Sequence, residues 1–259
     1  MAPAAVDVGT GEAKVVLITG AARGIGATCA MAAAAQGYAV VLNYLRNAEA
    51  AHNVEAAIAA AGGLCMSVQA DVAREAEVLS LFGRIDARFG RLDALVNNAG
   101  ILAQQMRVDQ MDAARINRIF ATNVTGSFLC AREAVRRMST RHGGAGGAIV
   151  NVSSRAAVLG SPGEYVDYAA SKAALDALTT GLAKEVAGEG IRVNGVRPGL
   201  IYTAMHADGG EPGRVDRLKA GVPMGRGGQA DEVANAVLWL LSSQAGFSTG
   251  SFIDVSGGR

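Results

Sequence analysis

The chain has 259 residues, half of them hydrophobic, with 24 basic and 23 acidic side chains and a formal net charge of +1. That is enough apolar material for a full α/β core, and the near-neutral balance without a clustered basic face argues against a nucleic-acid partner. The longest apolar runs are far too short to cross a bilayer, so no membrane partner is expected.

Residues 1–13 are small and acidic. They lack the basic start and apolar core of a signal peptide and read as a flexible tail. Strands are expected at 14–19, 38–43, 64–70, 92–96, 148–152, 191–196 and 251–255. Helices are expected at 25–36, 48–61, 74–89, 164–187 and 229–241, and 112–140 reads as mostly one long helix. The three cysteines, Cys29, Cys65 and Cys130, are scattered without metal-ligand spacing and read as small buried apolar residues. No metal is expected, and a reducing, cytoplasmic setting fits best. Apolar strands alternating with helices predict an α/β fold: a doubly wound, mostly parallel seven-stranded sheet with helices on both faces. No linker breaks the chain, so residues 14–259 form one domain. The one long irregular stretch is 198–228, and a loop of that length is usually functional.

Between the first strand and first helix runs Thr19-Gly20-Ala21-Ala22-Arg23-Gly24-Ile25-Gly26. Glycines at 20, 24 and 26 permit a tight turn and let the backbone approach a pyrophosphate, and the helix offers unpaired N–H groups to the anion. This places a dinucleotide on a Rossmann-type domain. The second strand ends in Asn43 rather than an acid, with Arg46 three residues on and Arg23 in the glycine turn. Two arginines there would clamp a 2′-phosphate, so NADP is expected, with NAD as the alternative. Asp71, followed by Val72, is placed to meet the adenine, or else to cap the next helix. Asn97-Asn98-Ala99-Gly100 follows the fourth strand, where small residues and amides let backbone meet cofactor or stabilise the strand ends.

Tyr168 and Lys172 lie four apart in a predicted helix and share a face. An ammonium beside a phenol favours phenolate and lowers its pKa from about 10, which suits a proton donor or acceptor near neutral pH. Ser154 ends the fifth strand, at the rim where open sheets bind ligands, and would hold a substrate oxygen. Asn123 sits inside a predicted helix that an amide does not favour, which points to a buried role.

With these residues in order, the chain from about Lys14 onward resembles the short-chain dehydrogenase/reductase family in its single-domain branch. The match comprises the glycine turn, Asp71, the run at 97–100, Asn123, Ser154, Tyr-x-x-x-Lys at 168–172, Arg197-Pro198-Gly199, Thr249-Gly250 and Gly257-Gly258. The bacterial sugar dehydrogenase-like and 3-oxoacyl-carrier-protein reductase-like members are the nearest in kind. The resemblance implies hydride transfer between a nicotinamide and a carbonyl or alcohol carbon. It implies Tyr168 as general acid/base, with Lys172 tuning it and binding the nicotinamide ribose. Ser154 would polarise the substrate carbonyl, and Asn123 would hold a relay water. Pro198, Gly199, Ile201 and Thr203 would approach the nicotinamide. Two departures bear on pocket shape. Arg197 stands where Asn or Ala more often precedes the proline, and the Ser154–Tyr168 gap is one residue longer than in many members of the family, which makes Ser153 a rival for the serine role.

The substrate would sit under the loop 198–228, whose His206, Asp208, Glu211, Arg214 and Arg217 would either bind a polar, sugar-like compound or form a solvated lid. The resemblance implies a homotetramer or homodimer packed through the two long helices. Ile119, Leu129 and Val135, or Leu175, Leu178 and Leu182, would serve that contact or belong to the core. A nucleotide-sensing protein without turnover is the rival reading, and the complete set Asn123, Ser154, Tyr168 and Lys172 weighs against it.

Overall fold

The computed structural model describes residues 13–259, so all but the last residue of the expected tail lies outside the described residues. Seven parallel strands form one sheet: β1 (Val15–Ile18), β2 (Ala39–Tyr44), β3 (Cys65–Gln69), β4 (Ala94–Asn97), β5 (Gly147–Val152), β6 (Ile191–Pro198) and β7 (Phe252–Val255). Their order is β3-β2-β1-β4-β5-β6-β7. The chain winds outward in both directions from β1, and the crevice beyond the carboxyl ends of β1 and β4 is where such sheets bind ligands.

The helices α1 (Gly24–Ala35), α2 (Ala48–Ala60), α3 (Glu75–Phe89), α4 (Ala113–Phe120), α5 (Gly126–Met138), α6 (Ala156–Leu159), α7 (Val166–Val186), α8 (Met205–Asp208), α9 (Arg214–Leu218) and α10 (Ala230–Leu241) complete the fold. Alternate strand residues feed two cores. Val16 and Ile18 join Cys29 and Ala33 of α1 and Val237 of α10 on one face. Val15 and Leu17 join Phe82 of α3, Cys130 of α5 and Val186 of α7 on the other. Burial of β1 on both faces is why it reads as an unbroken apolar run. Ile119, Leu175 and Leu178 are buried within the chain, and Leu129, Val135 and Leu182 pack against the second core.

Three details differ from expectation. The long helix over 112–140 is α4 and α5 joined by a π-helical turn at Ala121–Thr125. The extra residue shifts the apolar stripe by one position, which a 3.6-residue period does not reveal. Beyond it Gly126 lies against the segment after β3, where a Cβ would come within 2.9 Å of Val72 Cγ2 and 3.0 Å of its carbonyl oxygen. Residues 198–228 are not irregular throughout, since they contain α8 and α9. The short helix α6, directly after β5, carries no periodic signal of its own.

One polar line runs through the interior. Asn97 on β4 donates to Asn151 on β5 at 2.9 Å, and Asn151 donates to Thr179 on α7 at 2.8 Å. The two asparagines are register partners, and all three side chains are buried.

Candidate active site

At the nucleotide end, Gly20 and Gly24 adopt φ of +63° and +55°, which side chains with a Cβ rarely take. A Cβ on Gly26 would lie 2.5 Å from Asn98 Nδ2 and 2.6 Å from the Gly20 carbonyl oxygen. No side chain caps α1 and no acid stands in its first turn, so its leading N–H groups face the crevice. A glycine cradle over an uncapped helix start suits an anionic diphosphate, and the residues present therefore fit a dinucleotide. Thr19 Oγ1 accepts from the backbone N–H of Asn98 and of Ala99, each at 3.0 Å. The Asn98 amide donates to the Thr19 and Gly20 carbonyls at 2.9 and 3.1 Å, so it braces the turn.

Asn43 corrects an expectation. It is buried, accepts from the Gly20 N–H at 3.3 Å and donates to the Ala70 carbonyl at 3.0 Å. Its amide is engaged in tying β2 to the glycine turn and to the end of β3, not in facing a ribose. Arg46, just beyond β2, is exposed. Arg23 is ion-paired with Asp208 of α8. Asp71 accepts from the Ala73 N–H at 2.9 Å, while its own N–H donates to Glu77 at 2.7 Å, so it shapes the approach to α3 without capping that helix.

At the catalytic end, α7 brings Tyr168 and Lys172 one turn apart, 9% and 3% exposed. Lys172 Nζ lies 5.8 Å from the Tyr168 ring centre and donates to the Val152 carbonyl at 2.8 Å. Ser154 borders the same cavity as Tyr168, and its hydroxyl accepts from the Ala156 N–H at 3.1 Å. Ser153 is buried, and its hydroxyl donates to the Lys172 main-chain carbonyl at 3.2 Å, so the two serines have separate tasks. A Cβ on Gly100 would sit 3.3 Å from Lys172 Nζ. Asn123, in the π-turn, accepts from the Ile101 N–H at 2.8 Å and donates to the Ile101 carbonyl and to Ser171 Oγ, each at 2.9 Å. Both ends of that amide are engaged. A relay water would have to use its main-chain carbonyl, which accepts from Ser127 Oγ and has a second lone pair.

Burial pushes the Tyr168 phenol up to about 12, against the lowering effect of the neighbouring Ser154 hydroxyl. Burial also brings the Lys172 ammonium down to about 8, with Asp176 acting in the opposite sense. This corrects the expectation of a depressed phenol. In the chain alone, desolvation outweighs any help from the lysine, because both groups leave water together. The phenol is therefore protonated at neutral pH, the state that can donate.

A cavity of about 470 Å³ opens over Tyr168, Lys172 and Ser154. Ile25, Asn98, Pro198, Gly199, Ile201 and Thr203 border it as well, so the nucleotide-side and substrate-side residues meet in one space. The lid's charges are committed to each other. Arg214 binds both oxygens of Glu164, at 2.7 and 2.5 Å, and lies over the Tyr165 ring. Glu211 binds Arg217 and Gln105, which hold its carboxyl down to about 2. His206 Nε2 is 2.9 Å from the Ile201 carbonyl. These contacts seat the lid, while His206 and Arg214 still border the cavity. The lid's partners Gln105 and Glu164, and Tyr165 with its hydroxyl on the Gly209 carbonyl, had no motif to reveal them. Among the described residues, no His, Cys, Asp or Glu cluster fits a metal, and no helix is long and apolar enough to cross a membrane.

Residues 20–259 match the family model described as enoyl-(acyl carrier protein) reductase. The chain is 60% identical over 245 residues to the uncharacterized oxidoreductase YgfF of Escherichia coli K12, covering 95% of this chain and 99% of that protein. It is 37% identical to the 3-oxoacyl-[acyl-carrier-protein] reductase FabG of Staphylococcus aureus, covering 95% and 97%. Among solved structures, the 3-ketoacyl-(acyl-carrier-protein) reductase from Brucella melitensis complexed with NADH superposes with a TM-score of 0.88 at 32% identity, over 96% of this chain and 98% of that one.

Proposed function

The chain belongs to the short-chain dehydrogenase/reductase family and is an oxidoreductase that uses a nicotinamide cofactor, and on that premise we propose that it is an NADP(H)-preferring reductase of small carbonyl compounds, reversible toward secondary alcohols. The observation that carries the reading is the gathering of Tyr168, Ser154 and buried Lys172 on one cavity that Ile25 and Asn98 of the nucleotide end also line. A bound nicotinamide supplies the hydride chemistry. Tyr168 holds a proton on its phenol oxygen and releases it to the substrate oxygen, or takes it back from an alcohol. Ser154 orients that oxygen. Lys172 would hold the ribose of a bound nicotinamide and sets the charge felt by the phenol, and Asn123 fixes the Ile101 peptide. Arg23 and Arg46, with no acid at the end of β2, support preference for the 2′-phosphate. The Asp71–Val72 segment and Gly100 border the adenine and nicotinamide ends. Assembly as a cytoplasmic homotetramer through α4–α5 and α7 completes the proposal, supported by half-exposed Phe128 on α5.

NADPH consumption across ketones, diketones, sugars, aldehydes and β-ketoacyl thioesters, with Tyr168→Phe as control, tests it. Turnover that vanishes in the variant supports the role of Tyr168, and turnover that survives refutes it. Equal affinity for NADH and NADPH would remove the cofactor preference.

A further inference from the structure

The face of α7 that carries Tyr168 and Lys172 continues one turn on to Asp176. Asp176 Oδ2 accepts from Arg197 Nε on β6 at 2.9 Å. Its Oδ1 is buried and has no hydrogen-bond partner among the described residues. Arg197, the residue that departs from the commoner Pro-Gly turn, is itself fixed from behind. Its guanidinium carbon lies 3.9 Å from the centre of the Phe252 ring, and Asp254 is 3.8 Å away.

With one oxygen on Arg197 and the other buried without a donor, the Asp176 carboxylate sits in a setting where its charge acts on neighbours more strongly than a surface acid's. Several other charges near α7 have partners of their own. Arg115 of α4 is paired with Asp167, Glu133 of α5 with Arg132, Arg136 and Arg137, and Arg155 with Asp254. On β6, Arg192 is engaged with main-chain carbonyls at the end of α10. Toward Lys172, β5 and the π-turn present only the Val152 carbonyl, Ser153 and Asn123, and the phenol of Tyr168 is uncharged at neutral pH.

We propose that Asp176, held in place by Arg197, is a positioning residue whose buried charge keeps Lys172 protonated at its desolvated site. This rests on the assignment of Lys172 to the catalytic centre. It gives Arg197 a task, since an asparagine or alanine at that position would leave Asp176 free to turn to solvent. The influence of Asp176 on Lys172 opposes the effect of burial, as the geometry requires.

The chain has four lysines, Lys14, Lys172, Lys184 and Lys219, so ¹³C-lysine labelling yields four resolvable signals. The pH titration of Lys172 in the cofactor-free protein is followed by NMR, with Lys172→Met for assignment. Asp176→Asn should lower the Lys172 midpoint by at least about half a pH unit, roughly threefold in the acid constant. Asp176→Glu should restore it, and Arg197→Gln, which keeps the carboxylate but frees it to turn to solvent, should lower it by less than the neutral variants do. Asp176→Ser serves as a second neutral variant should the amide fail to fold. The basic limb of the kcat/KM profile should move down in pH with the midpoint. An unmoved midpoint in the neutral variants, or a larger fall in Arg197→Gln than in Asp176→Asn, would overturn the proposal. Turnover surviving in Tyr168→Phe would instead defeat the reading of function, whatever the lysine titration gives.

Discussion

Tyr168 and Ser154 border the same cavity, while the hydroxyl of the adjacent Ser153 is spent on the backbone carbonyl of Lys172. Tyr168→Phe should lose about 10²–10⁴-fold in kcat and keep its NADPH affinity, the range of a general acid/base. Ser154→Ala should lose about 10²–10³-fold, as for removal of a donor to a developing oxyanion. Ser153→Ala should keep kcat near the parent and lose about 1 kcal/mol of stability with its hydrogen bond. Steady-state kinetics beside thermal melts separate the three. A larger kcat loss in Ser153→Ala than in Ser154→Ala would exchange the roles of the serines.

The Arg23–Asp208 pair sets a second expectation. Both side chains are about half exposed, so the pair is weak and a 2′-phosphate can draw Arg23 away from it. Arg23→Ala should weaken NADPH binding about tenfold, within the range of a charge-assisted hydrogen bond, and leave NADH binding nearly unchanged. Asp208→Ala should tighten NADPH up to about fivefold, the worth of an exposed ion pair. Fluorescence titration with both nucleotides gives the ratios, and equal losses for the two in Arg23→Ala would remove the 2′-phosphate contact.

Gly26 allows little room for a side chain. Gly26→Ala would drive a Cβ into the Gly20 carbonyl and the Asn98 amide, at 2.6 and 2.5 Å. The backbone cannot yield without moving the turn, so nucleotide binding should vanish and stability should fall by about 1–3 kcal/mol. Calorimetric binding and chemical denaturation report the two effects independently. Unimpaired NADPH binding would refute the cradle.

Burial of Lys172 and Tyr168 has opposite consequences with pH. The lysine's folded value, about 8, lies below its ordinary 10.5, so the unfolded chain holds the extra proton between them and stability rises with pH across that window. The phenol is raised from 10.0 to about 12, so its contribution is complete below pH 10 and lost on the way to 12. Cofactor-free Lys172→Met should therefore melt above the parent at pH 7, and the gap should narrow as pH approaches 10. A gap independent of pH would show that Lys172 is not desolvated in the folded chain.

The alternation of apolar strands and helices made the sheet legible, because β1, β2, β4 and β5 are buried on both faces and carry no competing pattern. Glycine spacing and Tyr-x-x-x-Lys likewise marked the cavity's two ends, since both are local features of one turn or one helix face. The inward amide of Asn43 was not legible, because its partners Gly20 and Ala70 are distant in sequence and meet only when β2 lies between β1 and β3. The π-turn was hidden because one inserted residue leaves the helix's composition unchanged. The lid charges were visible as residue types, but their pairing with Glu164 and Gln105 depends on where the lid lands. The pKa of Tyr168 was misjudged for a similar reason, since a neighbouring lysine is visible in sequence and the depth of burial is not.

The line Asn97–Asn151–Thr179 bears on how faithfully the chain assembles. Apolar strands as uniform as β4 and β5 would pair almost equally well one residue out of step, were packing the only guide. A one-residue slip would turn the Asn151 amide to the opposite face and break both hydrogen bonds of the line, at about 1–3 kcal/mol for a buried group left unpaired. Misregistered sheets are thereby disfavoured during folding, and the strand ends that carry Asn98 and Ser154 arrive level with each other at the rim of the crevice.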